Sequence, residues 1–341
     1  ELSISSYCDE TLRSEACAKL KKIPDAYSKW IDKIAGQASE VSKRFGDNKK
    51  QMEEACDRNI SDCREVCERI EEGIRLIEKD ENVWASFCFA NRAIYKSLTR
   101  KKIENPRWRA FQLCFILSSL PSTLDGSHEY RDVLDLIWFP TGGGKTEAYL
   151  GLSALLIAHT RLVHPGKSGT IILSRYTLRL LTAQQFERTA QMICACEYLR
   201  RREPERFGEE PITCGMFVGA KATPNTLHDA NELIAGRSVA SATTTTLPIS
   251  QCPYCGADFD TAQQSVVDGE VITRCSSVEC EFHKGIPILF VDEHIYAHPP
   301  TIVVGTVDKF ALIAWDERIA SILRGGDSLP PQLIIQDELH L

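Results

Sequence analysis

The sequence predicts an α/β fold: a parallel sheet with flanking helices, preceded by an all-helical region and interrupted by a small insertion. Three observations predict it. From about residue 130, short apolar runs alternate with longer helical ones, as in strands joined by crossover helices. Residues 1 to about 100 instead repeat apolar side chains at three- and four-residue steps. Between about 225 and 297 the alternation breaks, first with the polar linker-like stretch "SVASATTTTLPIS" and then with paired cysteines.

The helical region spans 1–100. Its segment "CDRNISDCREVCERIEEGIRLIEKD" sets Ile60, Cys63, Cys67, Ile70, Ile74 and Ile77 in one stripe opposite the charges. "NVWASFCFANRAIYKSL" continues as a more buried helix, and the region reads as packing without chemistry of its own. Residues 101–341 form the α/β lobe. Within it "LDLIWF", "GTIILS", "ITCGMFVG", "TIVVGT" and "QLIIQ" are expected strands, and "KTEAYLGLSALLIAHTRL" and "TLRLLTAQQFERTAQMICACEYL" expected helices. The insertion is placed at 248–288.

The net charge is −7 over 341 residues, so the molecule is no polycation, and nucleic acid would have to bind in a local groove. No window approaches 18 uninterrupted apolar residues, and the first residues lack a basic then apolar leader pattern. A cytoplasmic protein without a membrane partner is expected. The first residue is Glu1, which leaves room for a start upstream. The 14 cysteines are of two kinds. Cys56, Cys63, Cys67, Cys194 and Cys196 lie in helical apolar patterns and read as small buried hydrophobes. The others that stand out are a spaced set.

That set is Cys252 and Cys255 in "CPYCG", then Cys275 and Cys280 in "CSSVEC" after 19 intervening residues. Two thiolate pairs on short knuckles match a tetrahedral Zn2+ site, with Gly256 permitting the first tight turn. His283 is an alternative to Cys280. A zinc ribbon here would staple an insertion too short to hold a core alone.

In "LIWFPTGGGKTEAYLGL" a strand-like run meets a helix through three consecutive glycines and a Lys-Thr pair. Thr141, Gly142, Gly143 and Gly144 would form a phosphate cradle of backbone N–H groups. Lys145 supplies a compact charge for the β- and γ-phosphates of ATP, and the Thr146 hydroxyl a ligand for Mg2+. The strict phosphate-loop pattern wants Gly at 139, where Phe139 stands. At the other end, "PQLIIQDELHL" is an apolar strand that closes in Asp-Glu-Leu-His. Asp337 is placed to hold Mg2+ through water, Glu338 to orient and deprotonate the attacking water, and His340 to relay the nucleotide state. Lys145, Asp337 and Glu338 are the expected catalytic residues.

"PTGGGKT" with "DELH" resembles the superfamily 2 helicases of the DExH type, whose lobes are RecA-like. Other segments stand in the matching order: "RWRAFQL", "LSRYTLRLLTAQQF", "FVGAKATPN" and "VVGTVDKFA". The joint wording, with "CPYCG" and the upstream "FCFANRAI", is similar to the DrmA family, the helicase subunits of DISARM anti-phage systems. The likeness covers about 85–341 well and the first 80 residues weakly.

This resemblance implies a first RecA-like helicase lobe that hydrolyses ATP to move on DNA, within a complex of partner subunits. It implies that Gln112 reads the adenine edge, with Phe111 or Trp108 packed near it. It implies strand contacts at Arg175, Tyr176, Thr177, Gly219, Thr223, Thr306 and Lys309, a mixture suited to sequence-independent phosphate binding. Tyr176 is equally suited to stacking on a base or to the core. Two basic clusters, "TRKKIENPRWR" and "LRRREPERF", would widen the track or simply be solvated. The chain ends directly after the DExH motif, so a second lobe with arginine fingers is expected beyond it, and the piece alone is expected to turn over ATP poorly. The rival readings are a different DExH repair or restriction translocase, and a nucleotide-gated DNA clamp that recruits a partner and rarely hydrolyses ATP.

Overall fold

A computed structural model describes residues 2–100, 102–138, 144–167, 169–177, 183–237, 239, 249–259, 263–323 and 329–337. The chain forms two compact units, one of residues 1–92 and 105–152, the other of residues 93–104 and 153–341.

The first unit is helical. After two 3-10 turns come α1 (Arg13–Ser42), α2 (Lys49–Lys79), the first part of α3 (Glu81–Arg100), α4 (Ala110–Leu124), and then the start of α5 (Lys145–Val163). The predicted stripe explains why α2 packs: Cys67, Ile70, Ile74 and Ile77 are buried on one face of it. Gly73 lies among them because α4 comes close there; a Cβ would stand 2.0 Å from the Leu117 carbonyl oxygen. Asp80 caps α3, its Oδ1 accepting from the amides of Asn82 at 2.7 Å and Val83 at 3.0 Å. The indoles in this unit find partners too. Trp84 Nε1 donates to the Glu10 carbonyl at 2.9 Å, and Trp108 Nε1 donates to Asn91 Oδ1 at 2.8 Å.

The second unit holds the sheet. Its strands are β1 (Ile172–Tyr176), β2 (Cys214–Phe217), β5 (Ile288–Leu289), β6 (Ile302–Thr306) and β7 (Leu333–Gln336). They pair in parallel in the order β5-β2-β6-β1-β7. All five residues of β6 are buried, so this central strand is covered on both faces, as apolar parallel strands usually are. Between β1 and β2 lie α6 (Ala183–Arg200) and α7 (Pro204–Phe207), and after β2 comes α8 (Leu227–Ile234). Helix α9 (Asp292–Ala297) follows β5, α10 (Val307–Ala311) follows β6, and α11 (Ala320–Leu323) precedes β7. Leu173, Phe217, Leu289, Ile295, Val303, Ile319 and Ile322 make one core against the sheet.

Inside the insertion, β3 (Gln264–Val267) and β4 (Glu270–Thr273) form an antiparallel hairpin. Its turn residues Asp268 (φ 51°) and Gly269 (φ 80°) are both left-handed, the conformation a two-residue hairpin turn requires. Val271 of β4 packs with Ala230 of α8 and with Val291.

Four of the five expected strands coincide with β1, β2, β6 and β7, and both expected helices have counterparts in α5 and α6. "LDLIWF" differs. Its described part, 134–138, is neither strand nor helix, and Leu134, Leu136 and Trp138 are 72%, 64% and 79% exposed. The physical reason is pairing: an apolar run becomes a strand only when a neighbour takes up its N–H and C=O groups, and no described strand pairs with it.

Candidate functional site

The parallel strands end together. Tyr176 is level with Thr306, Phe217 with Gly305, and Arg175 with both Gly305 and Gln336. Just beyond β7, the Asp337 amide donates to the Arg175 carbonyl at 3.1 Å. Ligands of open parallel sheets bind beyond these carboxyl ends, where the loops leave backbone and side-chain groups facing outward. Arg175, Tyr176, Thr177, Gly219, Thr223, Thr306, Lys309 and Asp337 all lie at or just after strand ends on this edge.

Their surroundings are not alike. Tyr176 is 1% exposed, and Thr223 and Thr306 are buried, so these three side chains belong to the interior of the edge in this structure. Arg175 and Gly219 are half-buried. The Arg175 Nε and the Thr177 hydroxyl are buried without a partner among the described residues. Such polar atoms cost free energy until something accepts from them or donates to them. The Lys309 ammonium meets the Asp292 carboxylate and lies 5.0 Å from the Phe217 ring centroid. Burial pushes the Asp292 carboxyl up to about 6, against the pull of Lys309 beside it. Asp292 carries no signal in the sequence; only the fold brings it to Lys309, across 17 positions.

On the other unit, α5 begins at Lys145, directly after Gly144, whose φ of 87° is open to glycine and strained for other residues. Gln112 is buried and joined to this turn. Its Nε2 donates to the Gly144 carbonyl at 2.7 Å, while its Oε1 accepts from the Arg109 amide at 2.8 Å. A Cβ on residue 144 would come within 2.9 Å of that Nε2. Thr146 is buried in the first turn of α5, and Trp108 packs below it against Gly151. A left-handed glycine ahead of a helix N-terminus that opens with Lys-Thr fits a phosphate with its Mg2+. Thr141, Gly142, Gly143, Glu338 and His340 lie outside the described residues.

The four insertion cysteines do come together. Their Sγ atoms all lie within 4.8 Å of one another, with Cys252 to Cys280 at 3.9 Å and Cys255 to Cys275 at 3.2 Å. Tetrahedral Zn–S bonds of about 2.3 Å would set the sulfurs about 3.8 Å apart, so the spacing is compatible with zinc. Gly256, at φ 74°, closes the knuckle by donating its amide to the Cys252 carbonyl at 2.8 Å. His283 is held aside, its Nδ1 2.9 Å from the Cys280 carbonyl oxygen. Burial pushes the Cys280 thiol up to about 12 and the Cys252 thiol higher still. A divalent cation among them is what would favour thiolates. By contrast, Cys194 and Cys196 are fully buried in α6, with thiols pushed up by burial, as expected of packing residues.

The insertion is docked by an aromatic and basic stack that the sequence does not announce. Tyr254 of the knuckle stacks on Tyr198 of α6 at 5.6 Å and meets Phe282 edge-on at 5.0 Å. Lys96 lies 3.6 Å from the Tyr198 centroid, Arg100 3.9 Å from that of Tyr254, and Arg202 3.5 Å from that of Tyr198. The run "LRRREPERF" is engaged in the same way. Arg200 and Arg201 bind Glu197, Arg202 binds Glu281, and Arg206 binds Glu203.

The geometry therefore defines an α/β chain with polar groups gathered at the carboxyl edge of a parallel sheet, a glycine turn opening a helix, and a four-cysteine cluster. No family model matches the sequence. Among curated proteins, the DISARM protein DrmA of Bacillus paralicheniformis is 33% identical over 404 residues, a match that covers 99% of this chain and 35% of that protein. The chain is DrmA-like along nearly its whole length, and it spans about a third of the length of the relative it matches. The resemblance carried by the motifs thus extends to the first 80 residues, where the motifs alone are weak.

Proposed function

We propose that this chain is the first ATP-binding lobe of an ATP-dependent DNA translocase or helicase subunit, acting in anti-phage defence of the DISARM type. The likeness to DrmA supports the defence setting, since that relative bears the name of a DISARM protein. The observations that carry the enzymatic reading are the two motif ends, each taken within its own unit. Gly144, Lys145 and Thr146 open α5 at a left-handed glycine, and Asp337 leaves the carboxyl end of β7 beside Arg175.

In this reading the lobe is RecA-like. Lys145 and the loop glycines hold the ATP phosphates, and Thr146 with Asp337 positions Mg2+. Glu338 takes a proton from the attacking water, and Gln112 senses the base while bracing the turn. The bound metal supplies charge neutralisation for the transferred phosphoryl group. Arg175, Thr177, Gly219 and Lys309 are the half-buried candidates for the strand track, with the unmet Arg175 Nε and Thr177 hydroxyl supporting the choice. Zn2+ in the four-cysteine cluster holds the insertion.

The test is steady-state ATP hydrolysis by the full-length parent protein, with and without single-stranded DNA, beside Glu338→Gln. The expected result is turnover stimulated by DNA and reduced at least 100-fold in the variant, a loss in the range general-base removal gives. Tight DNA binding with no stimulated turnover would sink the motor reading and leave a nucleotide-gated clamp.

A further inference from the structure

Helix α9 carries His294 and His298, one turn apart, so both rings lie on one face. The ring centroids are 5.5 Å apart and nearly perpendicular. Glu270, the first residue of β4, reaches both. Its Oε1 lies 3.1 Å from His298 Nε2 and its Oε2 lies 3.8 Å from His294 Nε2. One ligand atom from each of the three residues falls within 4.8 Å of the others. Zinc bound through imidazole nitrogen and carboxylate oxygen, at about 2.0–2.2 Å, sets its donor atoms about 3.4 Å apart, a value that the 3.1 and 3.8 Å distances bracket.

His294 is difficult to explain as a packing residue. It is 9% exposed, and its Nδ1 is buried without a partner among the described residues. Its Nε2 looks at Glu270 across a gap too long for a hydrogen bond. Buried histidines that serve only the fold normally have their ring nitrogens engaged. A cation between this ring, His298 and Glu270 accounts for the spacing of the facing atoms, because coordination at His294 Nε2 replaces the hydrogen bond that the 3.8 Å gap to Glu270 denies it.

We propose that Glu270, His294 and His298 form a second divalent-metal site, separate from the four cysteines, that pins the β3–β4 hairpin to α9. Two imidazoles and a carboxylate suit a borderline cation, Zn2+ foremost. The His298 and Glu270 side chains are 60% and 44% exposed, so the remaining coordination position faces water. The pinned helix matters to the edge of the sheet. Its Asp292 holds Lys309, its Ile295 sits under Gly215 of β2, and its Tyr296 packs edge-on against Phe217 at 5.8 Å. The metal thus ties the inserted unit mechanically to the strand ends, independently of whether ATP is hydrolysed there.

Zinc content tests this. The full-length protein is stripped with a chelator, reloaded with Zn2+, freed of loose ions by gel filtration and measured by elemental analysis. Two zinc ions per chain are expected, falling to one in His298→Ala and in Glu270→Gln; both side chains are exposed enough for the variants to fold. Co2+ loading separates the sites, since the second ion adds absorption without thiolate charge-transfer bands. Hydrogen exchange of 264–273 should slow on reloading in the parent and not in His298→Ala. One zinc per chain in the parent, or two in both variants, overturns the proposal.

Discussion

Glu197 has no exposed surface, and its carboxylate accepts four hydrogen bonds: two from Arg200, one from Arg201 and one from the Ile212 amide. A buried charge so fully met becomes costly when one side is removed, because the guanidinium of Arg200 is left in the interior. Glu197→Ala should lower the unfolding free energy by about 3–5 kcal/mol, read from denaturant midpoints at constant slope. A change under about 1 kcal/mol would mean that water reaches Arg200. Part of this was legible beforehand. Glu197 stands three and four residues before Arg200 and Arg201, a spacing that pairs on any helix. The partner of Arg202, Glu281, lies 79 positions away and belongs to the insertion, so no local pattern reveals it. The same divide runs through the candidate residues of each unit. Gly144 and Asp337 were legible from the motifs that hold them, whereas Asp292 and Glu270 reach their partners only through the fold.

The helical region shows what an element-scale pattern can say. The stripe on α2 predicted a buried face and gave no hint of what covers it, since periodicity fixes direction and not partner. Gly73 is the exception that marks the close approach to α4. Gly73→Ala gains about 1 kcal/mol of helix propensity, but its Cβ would collide with the Leu117 carbonyl, and backbone cannot turn aside as a side chain can. The helices must part, and a net loss of about 1–3 kcal/mol is expected. Thermal unfolding of the variant checks this, and a raised midpoint would show that the two helices yield there freely. The strands tell a complementary story. β1, β2, β6 and β7 are short apolar runs that found parallel neighbours, while 134–138, also largely apolar, has none among the described residues. Whether such a run is a strand is decided by a second segment, which its own residues do not name.

Across the whole chain, acidic residues outnumber basic ones by 47 to 40, and many of the basic groups that would attract a nucleic acid are already paired. Arg200, Arg201, Arg202 and Arg206 answer carboxylates, and Lys309 answers Asp292. Among the proposed strand contacts only Arg175 and Lys309 are cations. With Lys309 held by Asp292, the single remaining phosphate contact on a single strand, at Arg175, predicts a log–log salt slope of about −0.7. Titrating a short labelled oligonucleotide at several salt concentrations measures it, and a slope several times steeper would show that other basic groups take part.

Trp138 stands just ahead of the glycine turn with 79% of its surface in water, while Trp84 and Trp108 are 4% exposed. An indole in water emits further to the red than one held in a protein interior. Trp315 and Trp30 are 86% and 49% exposed as well, so in a Trp30→Phe, Trp315→Phe background any cover over 134–138 will shift the emission to the blue. Trp138 is in that background an optical probe built into an exposed apolar run.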